Sequence, residues 1–201
     1  MAGRAFTKLN QAPVADVAAA AGLSPEAAQL ATPGVTPDRF VDAMVEKAQL
    51  IDAVRYLANA LLQREAVWWA CLAARAALGS ARRPSDIDSV TAAEAWVYKP
   101  TEENRRAAMT KAQATKFDTP SAWAAVAAFW SGGSMAPPDV PIVPPPPFLI
   151  GRAVAGAIML AAVTGPADKI EPRYRHLIAQ GADIAAGGNG RLQGGTQPPA
   201  P

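Results

Sequence analysis

The chain contains 201 residues, of which 47 are alanine and only 18% are charged. Lysine and arginine together number 19 against 17 acidic residues, and this near balance disfavours duplex DNA or an anionic membrane as the dominant electrostatic partner. One cysteine (Cys71) excludes a disulfide scaffold, and with the lone His176 it provides too few ligands for a metal site.

Residues 1–33 begin with a mixed, polar stretch and continue into a predicted helical hairpin. No leucine-rich region follows Arg4 and Lys8, so we expect no secretory signal and a cytoplasmic protein. Ser24 provides a hydroxyl that can cap a helix, and Pro25 suits the first helical position. The acidic residue that follows carries a negative charge, which is favourable at the start of a helix. This pattern predicts that the second, short helix of the hairpin begins at Pro25.

Residues 37–131 carry the main series of predicted helices. Apolar residues at steps of three and four after Thr36 predict one long helix with a kink near Ala48–Leu50. Thr119-Pro120 repeats the helix-start pattern of a capping residue before proline. The predicted segments in this region are, in order, 37–62, 65–78, 89–98, 101–116 and 120–130.

Residues 132–147 form a proline-rich segment. Seven of the eleven residues from Pro137 to Pro147 are proline, which predicts an extended, polyproline-like conformation. Its Pro-x-x-Pro spacings have no flanking basic residue, so we interpret it as a strap that crosses the helical body rather than as an SH3-type ligand. A helix pair is predicted within 148–187, and residues 188–201 have the composition of a disordered tail.

Sustained alternation of β-branched residues is absent, so we predict an all-α fold within residues 1–187, built as a compact array of short antiparallel helices. Alanine is the best helix former, and its small side chain lets helix axes approach toward the short end of the usual spacing of about 8–10 Å. The five tryptophans would fill the remaining gaps. The longest apolar run, Ala153–Val163, is shorter than the roughly 20 residues that a bilayer requires, so we expect no membrane insertion.

Candidate catalytic residues are few. A Ser-His-Asp arrangement would have to use His176, and no Gly-x-Ser-x-Gly motif accompanies it. Cys71 lies between Ala70 and Leu72 on an apolar helix and is interpreted as a small buried hydrophobic residue. The sequence contains no phosphate loop, dinucleotide fingerprint or zinc motif. We therefore expect neither enzymatic activity nor a cofactor.

The segment from Val14 to Ser24 resembles the first helix and turn of a repressor-type helix-turn-helix, which would place a recognition helix at Pro25–Thr32. That helix contains no arginine or lysine, so it lacks the usual contacts to phosphates and guanines. We favour a hairpin that caps the domain and expect no nucleic-acid partner. A small DNA-binding regulator remains the alternative function.

Clusters of tryptophan and arginine provide the candidate residues for binding a partner protein. This combination is typical of hot spots in protein interfaces. The alternative is that the tryptophans fill gaps between alanine-lined helices while the arginines form internal ion pairs. The candidates are Arg64, Glu65, Trp68, Trp69, Arg105, Arg106 and Trp130.

Six short motifs occur in a recognisable order: Thr36-Pro37, Arg64–Cys71, Ala93–Val97, Glu103–Ala108, Ala128–Ser134 and Pro144–Pro147. They resemble a bacterial family of uncharacterised, alanine-rich helical proteins that is associated with type VI secretion gene clusters. The resemblance spans residues 33–187. Members of that family often have histidine after the prolines, where this chain has Phe148, so we expect no metal or acid–base role there.

The resemblance implies a cytosolic accessory role, with members encoded near spike-tip proteins and their adaptor chaperones. It brings no catalytic residues. Together with the tryptophan and arginine clusters, it predicts a non-enzymatic adaptor or co-chaperone that acts in type VI secretion assembly or effector loading. The expected partner is an adaptor chaperone, a spike-tip protein or an effector.

Overall fold

The computed structural model of the chain describes residues 5–79 and 82–192. Within these residues the chain forms ten α-helices and one short 3₁₀ helix, Ala167–Lys169, and no β-sheet. The α-helices are α1 (Val14–Ala21), α2 (Pro25–Ala28), α3 (Pro37–Glu46), α4 (Leu50–Ala60), α5 (Gln63–Ala77), α6 (Pro84–Tyr98), α7 (Glu102–Gln113), α8 (Pro120–Phe129), α9 (Leu149–Val163) and α10 (Ile170–Ala185). The prediction of an all-α array of packed helices is confirmed.

Several helices begin at the side-chain caps that the sequence predicts. Ser24 caps α2 by accepting a hydrogen bond from the amide of Ala27 at 3.2 Å. Thr101 and Thr119 cap α7 and α8 in the same way. Each cap satisfies one of the amides that a helix start leaves without a partner, so these boundaries follow from local chemistry.

The predicted long helix over 37–62 is instead two helices, α3 and α4. Ala48 adopts a left-handed conformation with φ of 56°, and the amide of Gln49 bonds back to the carbonyl of Met44 at 2.8 Å. A residue with positive φ ends a right-handed helix, so the kink is a complete break. A second difference lies at α6, which begins at Pro84 rather than Ser89, because proline suits the first helical position.

Helices α5, α8 and α9 form the centre of the core. Eight of the ten residues of α8 are buried, and five of these eight are alanine. Trp69 on α5 is fully buried, and its Nε1 donates a hydrogen bond to the carbonyl of Leu177 on α10 at 2.8 Å. For Trp69, the interpretation that tryptophans fill the gaps between alanine-lined helices is therefore correct.

The apolar helix α9 packs inside the protein. Nine of its fifteen residues are buried. Gly151 lies so close to Asn59 on α4 that a Cβ atom there would stand 2.2 Å from the amide oxygen. Among the helices that the structure describes, none combines the length and apolarity needed to span a membrane.

One end of the array gathers the termini of six helices. Arg64 Nε donates to the carbonyl of Val97 at 2.6 Å, which places the start of α5 beside the end of α6. Arg105, near the start of α7, likewise bonds the carbonyl of Phe129 at the end of α8. Leu62 and Pro147 line one cavity of about 200 Å³, together with residues from the end of α4 and the start of α9. We call this end of the array, with the proline-rich segment 132–147, the strap end.

The proline-rich segment folds back on itself at the strap end and does not cross the helical body. The amide of Met135 donates to the carbonyl of Val143 at 2.8 Å. Ser134 Oγ accepts hydrogen bonds from the amides of Ala136 and Val143, at 3.1 and 3.0 Å. Because proline has no amide hydrogen, most of the intervening residues stay at the surface.

Residues 188–192, which the composition assigned to a disordered tail, pack against α5 and α10. The amide of Gly188 donates to the carbonyl of Asp183 at 2.8 Å, and Gln180 Nε2 donates to the carbonyl of Gly190 at 3.0 Å. Gly190 has φ of 73°, a conformation that glycine adopts without strain. The glycines here therefore allow close packing, and the rest of the predicted tail, 193–201, lies outside the described residues.

Candidate partner-binding site

Arg105 is the centre of a hydrogen-bond network at the strap end and is only 3% exposed. Its Nε and Nη2 donate to the two carboxylate oxygens of Glu102 at 2.6 and 2.8 Å. Nη1 donates to the carbonyl of Phe129 at 2.5 Å, and Nη2 also donates to that of Ser134 at 2.8 Å. The guanidinium carbon lies 4.4 Å from the centre of the Phe129 ring. Arg105 thus fastens the strap to α7 and α8 and is inaccessible to a partner.

Arg106 faces outward from the same helix. Its Nε donates to Glu102 Oε1 at 2.6 Å, and its Nη2 donates to the carbonyl of Ala136 at 3.1 Å. The hydrogen bonds from Arg105 and then Arg106 lower the pKa of Glu102 to about 2. The carboxylate therefore stays charged through the physiological range, and Arg106 lies at the surface with its charge already paired.

The second glycine after Trp130 serves this network. Gly133 has φ of 64°, and a Cβ atom there would stand 2.9 Å from Arg105 Nε. Only glycine lets the backbone pass this close to the guanidinium. The second glycine of the Trp-Ser-Gly-Gly motif is thus explained by its contact with Arg105, whereas a Cβ atom at Gly132 would meet nothing within 4 Å. Trp130 itself is half-buried and packs edge-on against Trp123, with ring centroids 6.3 Å apart.

The adjacent tryptophans of α5 point to different environments. Trp69 is fully buried and is therefore unavailable to a partner. Trp68 is partly exposed, and its Nε1 donates to the carbonyl of Asn189 at 2.9 Å. The Arg191 guanidinium lies 5.7 Å from the centre of the Trp68 ring. The C-terminal segment of the chain thus already occupies one side of Trp68.

The other two candidates on α5 lie near its start. Arg64 is exposed and donates a hydrogen bond to the carbonyl of Val97 at the end of α6. Glu65 is partly buried, and its carboxylate lies 3.9 Å from Lys8 Nζ. The structure therefore brings Arg64, Arg106 and the Trp130 motif to the strap end, whereas Trp68 and Trp69 lie further along α5.

Large apolar side chains on the surface are the feature that the sequence reasoning missed. Among the described residues, nine are at least 40% exposed, and six of these nine lie at the strap end. The six are Leu62 (40%), Tyr98 (88%), Val140 (48%), Ile142 (79%), Val143 (47%) and Phe148 (40%). Their only sequence signal is a hydrophobic residue beside proline or at a helix end. The same pattern occurs at ordinary turns, so it does not identify a binding surface.

Two of these side chains line a groove of about 510 Å³ between the first turn of α7 and the strap. Its walls include Glu102, Glu103, Arg106, Pro138, Val140 and Ile142. The groove is therefore apolar on the strap side and charged on the helix side.

The two residues considered for catalysis differ in exposure. Cys71 is fully buried, and burial, followed by the nearby Glu94 carboxylate, raises the pKa of its thiol well above the ordinary value. This agrees with its interpretation as a buried hydrophobic residue. His176 is exposed on α10. Across 5–79 and 82–192, no cluster of three or more His, Cys, Asp or Glu side chains could hold a metal ion.

The N-terminal hairpin packs on α4. Asp52 accepts hydrogen bonds from the amide and the hydroxyl of Ser24, at 3.0 and 2.8 Å. Helix α2 has four residues and ends at Ala28, so it is shorter than the recognition helix considered at Pro25–Thr32. Ala27 is fully buried between the hairpin and the body. The hairpin thus caps the array in the described structure.

These features define an all-α protein in which one buried arginine fastens a proline-rich loop to the end of a helical array. Residues 40–185 match DUF6931, a family of unknown function. Because the match covers more than half of the chain, the protein belongs to this family. The chain matches no curated protein and no solved structure. The expectation of an uncharacterised family is thereby confirmed.

Proposed function

We propose that the protein is a non-enzymatic adaptor or co-chaperone-like accessory protein, and that its strap end binds a partner protein. The observation that carries this proposal is the concentration of six exposed large apolar side chains at that end. Large apolar side chains that are gathered in one region of a protein surface are a feature of interaction sites. Tyr98 is the most exposed of them and has the side chain most suited to an interface anchor.

Hydrogen bonds from two arginines hold parts of the strap end in place, which favours binding. Arg105 holds the strap through carbonyl groups of two different segments, and Arg64 fixes the end of α6. A surface that is ordered before binding loses little conformational entropy when a partner docks. The arginines at this end thus support the site, although most of their hydrogen-bonding capacity is used inside the protein.

The choice of partner rests on the resemblance of the sequence motifs to proteins encoded in type VI secretion gene clusters. We propose that the partner is an adaptor chaperone, a spike-tip protein or an effector of such an apparatus. The protein would act during assembly or effector loading. Genetic neighbourhood is an associational argument, so a direct binding measurement is required.

Purified full-length protein should be tested by biolayer interferometry against the adaptor chaperone, spike-tip protein and effector of its own gene cluster. We expect binding to at least one, and about a tenfold weaker affinity for Tyr98→Asp. Val163→Asp is the matched control, because Val163 is 49% exposed at the opposite end of α9. Absence of binding to all three would overturn the proposal, and binding to duplex DNA instead would favour the regulator alternative.

A further inference from the structure

We infer that the groove between α7 and the strap binds an extended segment of the partner, in which an apolar side chain stands next to a lysine or arginine. This inference rests on the proposed function, because it specifies which part of the partner the strap end recognises. Shape, charge and free backbone groups of the groove each support it.

The apolar wall can accept a hydrophobic side chain. Val140 and Ile142 lie two residues apart in the strap, line the same groove and are 48% and 79% exposed. Pro137 and Pro138 complete this wall. The volume of about 510 Å³ exceeds that of one large side chain, so the groove has room for a short stretch of polypeptide.

Among the described residues, three carboxylates and two arginines lie in or beside the groove, so its net charge is negative. Glu102 pairs with both Arg105 and Arg106, through hydrogen bonds of 2.6 to 2.8 Å. In the part of the chain that the structure covers, the carboxylates of Glu103 and the adjacent strap residue Asp139 take part in no ion pair. Charge complementarity therefore requires a cationic side chain beside the apolar one.

The backbone of the strap favours an extended occupant. Residues 138–139 form a turn, but in this described segment the amide of Ile142 and the carbonyls of Val140 and Ile142 take part in no intramolecular hydrogen bond. An extended segment can pair its own backbone groups with those of Val140 and Ile142, as in strand addition to an exposed edge. A helical segment cannot do this, because its backbone groups are already paired internally.

The groove can be tested without the natural partner, by fluorescence anisotropy of the full-length protein with three fluorescein-labelled eight-residue peptides. The first alternates lysine with leucine, the second replaces lysine by glutamate, and the third replaces leucine by serine. We expect the first peptide to bind at least about tenfold more tightly than the other two. Its affinity should fall at about 0.5 M salt, since salt screens exposed charges.

Substitutions in the groove then test whether the lysine–leucine peptide binds there. Ile142→Ser and Glu103→Lys should each weaken binding of the lysine–leucine peptide about tenfold, whereas Val163→Ser, a matched loss of an exposed side chain, should leave it unchanged. Because Ile142 is 79% exposed, its replacement should leave the thermal midpoint unchanged. Failure of the lysine–leucine peptide to bind, or equal binding by the Ile142→Ser variant, overturns the inference.

The two proposals fail separately. Binding of a secretion component without binding of the lysine–leucine peptide would reject the groove and retain the adaptor function. Binding of the peptide, lost in Ile142→Ser, without binding of any secretion component would support the groove and reject the proposed function.

Discussion

The Arg105 guanidinium contacts both carboxylate oxygens of Glu102, from Nε at 2.6 Å and from Nη2 at 2.8 Å. Its other hydrogen bonds reach the carbonyls of Phe129 and Ser134, so one side chain connects α7, the end of α8 and the strap. A planar guanidinium presents its donors in a fixed fork, which a lysine ammonium cannot reproduce. The position of the strap therefore depends on an arginine at this site.

Arg105→Lys should destabilise the protein by about 2–3 kcal/mol, because it leaves buried carbonyl groups without donors. Amide hydrogen exchange at Met135 and Val143 should also become faster. Urea denaturation and exchange mass spectrometry measure the two effects. Arg175→Lys is the control, because Arg175 also bonds one carboxylate and one carbonyl, those of Glu171 and Val45, but its side chain is 42% exposed. Equal stability of the Arg105→Lys variant and the wild type would contradict the role of Arg105 as the strap anchor.

Acid should weaken the same network through Glu102. The ordinary pKa of this carboxyl is 4.5, and the hydrogen bonds from Arg105 and Arg106 lower it to about 2 in the folded protein. A lowered pKa means that the carboxylate stabilises the fold at pH values above 4.5, and that this contribution is lost as the pH falls toward 2.

Glu102→Gln should abolish this part of the pH dependence. Urea unfolding between pH 5 and pH 2 should show a shallower decline in the free energy of unfolding for the variant than for the wild type. Glu103→Gln is the neighbouring control and should behave as the wild type does. Parallel curves for the wild type and Glu102→Gln would mean that the ion pair adds nothing to stability.

The sequence predicts the fold class and most helix starts because these depend on local chemistry. Ser24, Thr101 and Thr119 act within one turn of their own helices. The packing of Asn189 on Trp68 depends on a contact between distant parts of the chain, and the left-handed residue at the helix break is an alanine, which the sequence does not mark as a turn. Composition carries no information about such features, so the sequence predicted a kink rather than a complete break and did not predict the packing of residues 188–192.

The candidate site was predicted in part, for a related reason. Consecutive residues on a helix point about 100° apart, so a pair such as Arg105 and Arg106 contributes one buried and one partly exposed member. Trp68 and Trp69 divide in the same way. The sequence identifies these pairs but does not show which residue of each pair is buried. That depends on which face of the helix the neighbouring helices cover.

Gly190 should be essential for the packing of the C-terminal segment. Its φ of 73° disfavours any side chain, and a Cβ atom would stand 2.7 Å from Leu72 Cδ1. Gly190→Ala should therefore destabilise the protein by about 2 kcal/mol and increase amide exchange at Asn189 and Arg191.

Gly22→Ala separates the two causes. Gly22 has φ of 62°, but a Cβ atom there would meet nothing within 4 Å, so the variant carries the backbone strain alone and should lose about 1 kcal/mol. Both variants can be compared by urea denaturation. A smaller loss for Gly190→Ala than for Gly22→Ala would show that the segment does not pack on Leu72 in solution.

Gly181 and Gly156 make a matched pair of helical glycines with opposite expected outcomes. A Cβ atom at Gly181 would stand 2.8 Å from Trp69 Cε2, whereas one at Gly156 would stand 3.8 Å from Trp123, an ordinary contact distance. Trp69 cannot retreat, because it is fully buried and bonded to the carbonyl of Leu177. Gly181→Ala should therefore cost about 1–3 kcal/mol through overpacking.

Gly156→Ala should instead stabilise the protein by about 0.5–1 kcal/mol, because alanine restricts the unfolded chain and favours the helix. Thermal unfolding followed by circular dichroism gives the sign of both changes in one experiment. Because the two substitutions are chemically identical and both lie inside helices, helix propensity cancels in their difference. The remaining difference measures how tightly α10 packs against Trp69, and equal shifts for the two variants would contradict the close approach of Gly181 to that ring.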